Sequence, residues 1–225
     1  MKVTKHILPV VISVALQHAV FGQRNVMEIL DPQYQNSSLL YAKTTPNDNP
    51  FFVNDFLSAD IVMFNKQVIP AVDIKYDVEN QRLYASTGGR FVILDNKMID
   101  SFKVQLPDTG SKSTFIKLKE DGKEVYFEVL AEGEVKLLKK TVKTRQTRTE
   151  ANSTPYNNDG ETRPARYRRN EFYYLQTQDG LHIVRLNAKS ILKTLNASKY
   201  EDCAKNLELR LNQLEDIIIL VKQCK

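Results

Sequence analysis

TFIKLKEDGKEVYFEVLA, residues 114–131, contains two short runs of apolar and charged residues on either side of Glu120, Asp121, Gly122 and Lys123. A four-residue polar loop carrying a glycine between two strand-like runs is the pattern of a β-hairpin. The same unit recurs in both directions along the chain. Upstream, apolar runs at 61–64, 68–76, 82–86, 90–94 and 98–105 are separated by turn chemistry at 65–67, 77–80, 88–89 and 95–97. Pro70 inside the second run marks an edge or a bulge, because it has no N–H to give to a neighbouring strand. Downstream, 134–142, 172–176 and 181–186 continue the series, the last two joined by Asp179 and Gly180. Strands of this length with no helices between them predict a mainly β fold, an antiparallel meander rolled into a sandwich or partial barrel.

The series stops at Asn187, which can cap a short helix over 188–195. Ser198 can cap a second, through about residue 207. Leu211, Leu214, Ile217, Ile218 and Val221 recur at helical spacing, so 211–224 reads as a third. These form a short helical C-terminal cap. The organisation expected is therefore a signal peptide at 1–22, an extended arm at 23–50 with one short strand at 39–43, an antiparallel β domain at 51–186 and a helical segment at 187–225.

The first 22 residues imply export. Lys2 and Lys5 precede an apolar run from Ile7 to Phe21, and Val20 and Gly22 supply the small residues that signal peptidase reads, exposing Gln23. The run is too short to span a bilayer. The chain carries 32 Lys and Arg against 27 Asp and Glu, a net charge of +5, and loss of the leader lowers this. So small an excess points to no partner; only its distribution can.

Cys203 and Cys224 are the only cysteines. An oxidising compartment favours a disulfide, but a straight antiparallel helical hairpin turning near Leu211 would offset the two by about 7 Å along its axis. Two free buried thiols are the expected state on that geometry, with the bridge as the alternative.

VDIKYDVENQRLYAS (72–86), FVILDNKMIDSFKVQ (91–105), YFEVLAEGEVKLLKK (126–140), EFYYLQ (171–176) and KSILKTL (189–195) follow one another in an order that resembles an uncharacterised family of secreted β-rich proteins from Bacteroidetes. The resemblance covers roughly 58–224 and rests on structural strings. It implies a cell-envelope protein of a Gram-negative bacterium, and no reaction or functional residues.

Catalytic vocabulary is sparse. Once the leader is gone, His182 is the only histidine. It lies in the strand-like LHIVRL with no nucleophile motif to partner it, and reads as a strand-face residue. Ser190 and Lys193 match S-x-x-K without its companion motifs. Asp73, Asp77 and Glu79 gather at one turn but lack calcium-loop spacing. Gly88, Gly89 and Arg90 precede no helix that would cradle a phosphate. One histidine and two helical cysteines do not make a zinc site, so no metal and no cofactor is expected.

Residues 141–170 stand apart. Lys139, Lys140, Lys143, Arg145 and Arg148 run down into a polar loop expected to be mobile at 146–165, and Arg163, Arg166, Arg168 and Arg169 return from it. If the arms pair, nine cations share one stripe within about 25 Å. Such a stripe suits an anionic glycan or lipopolysaccharide, or another envelope protein; nucleic acid fits an exported chain poorly. The same charges also keep an exposed strand from aggregating. The function expected is non-catalytic, binding or structural. The alternative is a small secreted hydrolase whose carboxylates no motif identifies.

Overall fold

A computed structural model describes residues 30, 49–87, 90–107, 110–146, 166–195 and 198–224. The expected leader, most of the arm with its strand at 39–43, the Gly88–Gly89 pair and the loop 147–165 with Arg148 and Arg163 lie outside them.

The strands are β1 (Leu57–Met63), β2 (Val68–Asp77), β3 (Arg82–Thr87), β4 (Arg90–Ile93), β5 (Ile99–Gln105), β6 (Lys112–Glu120), β7 (Lys123–Glu132), β8 (Lys136–Gln146), β9 (Arg166–Thr177) and β10 (Gly180–Val184). They form one open, mainly antiparallel sheet in the order β10-β9-β8-β7-β6-β5-β1-β2-β3-β4. Two meanders, β1 to β4 and β5 to β10, therefore meet along the β1–β5 pair. Local chemistry makes the hairpins. Asp121 and Gly122 both have positive φ, 49° and 78°, the twist a two-residue hairpin turn needs. Pro70 sits in a bulge: two residues, Pro70 and Ala71, oppose Asp60, whose carboxylate accepts the Ala71 N–H at 3.2 Å.

Large twisted sheets curl, and this one also splits. β6 and β7 pair all the way to Glu120↔Lys123, and β8 and β9 to Gln146↔Arg166. β7 and β8 pair only from Glu128↔Lys139 to Glu132↔Lys136. Beyond Glu128 the two hairpins part. The turn after β2 and the segment leading into β1 fill the gap. Gln81 Oε1 accepts the Tyr126 N–H at 2.9 Å and the Tyr76 hydroxyl at 2.7 Å, while its Nε2 donates to the Val78 carbonyl at 2.8 Å. Phe51 forms a bridge with Asp77, and Phe52 N–H donates to the Tyr76 carbonyl at 2.7 Å.

The rolled end encloses an aromatic core. Phe102 stacks on Phe115 at 4.8 Å, and Tyr76 and Tyr126 meet Phe102 edge-on at 5.6 and 5.1 Å. The other end is closed by three helices, α1 (Ala188–Leu195), α2 (Ser198–Asn206) and α3 (Leu214–Gln223). They bury Ile191, Tyr200, Ile217, Leu220 and Val221 against Ala131, Leu137, Leu175 and Val184. Asn187 caps α1 as its sequence predicts, accepting the Ser190 N–H at 2.8 Å. A Cβ on Gly133 would collide with the Val221 carbonyl, so glycine lets α3 lie directly on the β7–β8 turn.

Cys203 and Cys224 form a disulfide with Cα atoms 6.0 Å apart. The expectation of free thiols fails because its straight hairpin does not exist. α2 ends at Asn206, and the connector 207–213 makes its own path, with Glu208 at φ 52° and the Arg210 N–H held by Asp216 at 2.7 Å. That path absorbs the axial offset. No helix among the described residues is long and apolar enough to cross a membrane.

Candidate anion-binding surface

β8 and β9 pair without interruption from Lys136↔Gln176 to Gln146↔Arg166. Directly paired residues share a sheet face, and neighbours along a strand alternate. The cations expected to form one stripe are thus divided. Lys139, Lys143, Arg145 and Arg169 take the inner face with Tyr167 and Tyr173. Lys140, Arg166 and Arg168 take the outer face with Phe172.

Neutralisation divides them again. Lys139 pairs with Glu128 at 2.8 Å, side chains 15% and 8% exposed, and Ser113 Oγ donates to the same carboxylate at 2.8 Å. Lys140 pairs with Glu120, which also accepts the Tyr174 hydroxyl. Burial pushes the Glu120 carboxyl up, but these two donors outweigh it and hold it below its ordinary value. Arg169 pairs with Glu171 at 2.9 Å and stacks on Phe52 at 5.0 Å. Lys143 caps the backbone around Asn49 and Phe51; burial is the main cause that lowers its pKa. The arms therefore do meet acids. Glu128 comes from β7, Glu120 from the end of β6 and Glu171 from β9 itself, and none is visible as a partner in the basic segment read alone.

What remains is the far end of the hairpin. Arg145, Arg166 and Arg168 are exposed and take part in no ion pair among the described residues. Arg166 and Arg168 lie on one face about 7 Å apart, two strand residues on. Arg145 projects from the opposite face beside Tyr167, whose hydroxyl donates to Glu79 at 3.1 Å. Guanidinium groups so placed bind carboxylate, sulfate or phosphate through paired N–H donors.

The other candidates are engaged in structure. His182 is exposed on β10 opposite Leu175. Ser190 Oγ accepts the Arg185 N–H at 3.0 Å. Asp77 is buried and accepts the N–H groups of Glu79 and Asn80 at 3.0 and 2.9 Å, closing its own turn. Asp73 is exposed on β2. Among the described residues no three histidine, cysteine or acidic side chains gather as metal ligands.

No protein-family model matches the chain, and comparison with curated proteins and with solved structures finds no match to it.

Proposed function

We propose that the chain is an exported protein of a Gram-negative cell envelope that works by binding rather than catalysis. Its ligand is an anionic envelope polymer, an acidic glycan or lipopolysaccharide, held at the far end of the β8–β9 hairpin. The leader-like first 22 residues support export. The binding reading rests on one observation: acids and carbonyl groups of the fold pair with Lys139, Lys140, Lys143 and Arg169, while Arg145, Arg166 and Arg168 are exposed and take part in no ion pair among the described residues.

Binding to immobilised lipopolysaccharide and to a sulfated dextran tests it. Affinity is expected to fall steeply as added salt shortens the Debye length below about 8 Å. Arg166→Gln with Arg168→Gln should weaken binding severalfold. Lys103→Gln with Lys119→Gln, which removes the same charge from exposed positions elsewhere, should not. Equal loss in both double variants, or binding indifferent to salt, would show that the hairpin end is not the binding surface.

A further inference from the structure

Lys143 and Asn49 lie 94 residues apart in sequence, yet Lys143 Nζ is 3.4 Å from Asn49 Oδ1. The lysine also reaches the carbonyls of Asn49, at 3.3 Å, and of Phe51. Asn49 is fully buried, and Phe51 and Asp77 beside it are each 1% exposed. The side-chain amide is held on both sides: its oxygen accepts the Phe51 N–H at 3.0 Å, and its Nδ2 donates to Asn54 Oδ1 at 3.2 Å. An amine, an immobilised carboxamide and a backbone donor aimed at the carboxamide oxygen are the parts of an acyl transfer.

We propose that Lys143 and Asn49 join in an intramolecular isopeptide bond, formed by the protein on itself with release of ammonia. The neutral Nζ attacks Cγ of Asn49, and the C=O electron pair moves onto Oδ1. The Phe51 N–H faces that oxygen and stabilises the charge that develops there. Collapse of the tetrahedral adduct breaks the Cγ–Nδ2 bond. The proton lost by Nζ leaves on Nδ2, so one ammonia departs and one amide replaces another. No oxidant, metal or cofactor enters the balance.

Three features favour the step. Lys143 Nζ is held 3.4 Å from Oδ1, one bond from the Cγ it attacks, and holding the two groups together removes part of the entropic barrier. Burial lowers the Lys143 pKa, the nearby Arg169 charge acts in the same direction and Asp77 partly opposes it, so the nucleophilic form of the amine is more accessible than in water. The carboxamide is fully buried beside Phe51, which limits its access to competing water. Asp77 takes no part as an acid, because its oxygens already accept from Glu79 and Asn80. The bond would fasten the entry segment to β8 at the place where β7 and β8 part.

Peptide mapping of the purified full chain by tandem mass spectrometry tests this. The expected result is one cross-linked species containing Asn49 and Lys143, lighter than the two peptides together by one ammonia, and an unfolded chain that migrates as a compact loop even after reduction of the disulfide. Lys143→Arg keeps the charge, cannot form the amide and should regain the full mass. Cyclisation of an N-terminal Gln23 also expels ammonia but survives in that variant, so the map separates the two. If linkage is incomplete, incubation of the folded protein at about pH 9, where more of a shifted lysine is neutral, should complete it. Unlinked Asn49 and Lys143 peptides as the only products after that incubation would overturn the proposal and leave Lys143 as a hydrogen-bonded ammonium.

Discussion

The two ends of the sheet are closed by different physics. At the helical end, Ala131, Leu137, Leu175 and Val184 are covered by α1 to α3, apolar surface on apolar surface, and a disulfide ties α2 to the end of α3. All of that cover comes from one stretch, residues 188–224. At the split end the cover comes from segments distant in sequence. Its closure is polar at the seams: Gln81 bridges the turn to β7, Lys143 reaches Asn49 and Phe51, and Arg169 lies on Phe52. The Glu128–Lys139 pair sits on the same face between the two cores. A helix that slides slightly on an apolar face loses little, whereas a buried amide or ammonium tolerates no misplacement, because an unpaired polar group keeps its full desolvation cost. The split end should therefore be the more exacting of the two, and the helical end the more forgiving.

The largest effect that tests this contrast is Phe102→Ala. Phe102 is fully buried and touches Phe115, Tyr76 and Tyr126, so truncation should cost about 3–5 kcal/mol in urea unfolding. Hydrogen exchange should show the loss concentrated in β1, β2 and β5. A uniform loss across α1 to α3 as well would mean that the two ends unfold as one unit.

Reduction of Cys203–Cys224, or Cys203→Ser with Cys224→Ser, comes next. The bridge closes a loop of sequence separation 21 and its loss should cost about 3 kcal/mol. Exchange protection should fall in α2 and α3 and hold in β5 and β6. Gly133→Ala should cost about 1–3 kcal/mol by pushing α3 off the β7–β8 turn, read as a lower unfolding midpoint. No change would show that α3 repositions freely.

The smallest expected effect concerns pH. Lys117, with its side chain 3% exposed, has a pKa lowered chiefly by burial from 10.5, a shift that Glu124 opposes in part. Folding thus favours its neutral form. The folded state binds fewer protons than the unfolded one in the range just below 10.5, and stability should rise with pH through that window. Tyr76 and Tyr126 act oppositely: burial raises both above 10.0, so their contribution is complete below that value and lost above it. A modest climb that turns over near pH 10 is expected, confined to the split end. Lys117→Met should reduce the climb to what Lys143, also lowered by burial, contributes; an undiminished climb in that variant would assign it elsewhere.

Much of the architecture was legible because its causes are local. Asp121 and Gly122 make their turn from the dihedral preferences of two residues, and the helix over 188–195 begins after an asparagine that caps it. Pro70 announces its bulge by the N–H it lacks. The basic hairpin was legible as a paired element, but its charge was not. Read along the chain, Lys139 and Lys140 belong to an unbroken cationic stripe; folded, they meet Glu128 and Glu120 from across the sheet. The disulfide is hidden from the sequence for the same reason, since its register depends on the path of 207–213 and not on the count of residues between the cysteines.

By itself the sequence determined the strands, the turns and the helical tail, all set by interactions within a few residues. Only the tertiary structure decided that β5 returns to β1, that β7 and β8 part at Glu128, which cations remain exposed, and that Lys143 faces Asn49. These depend on how a twisted sheet brings distant segments together. Twist accumulates over many strands, while side-chain pattern reports only which face of its own strand a residue occupies.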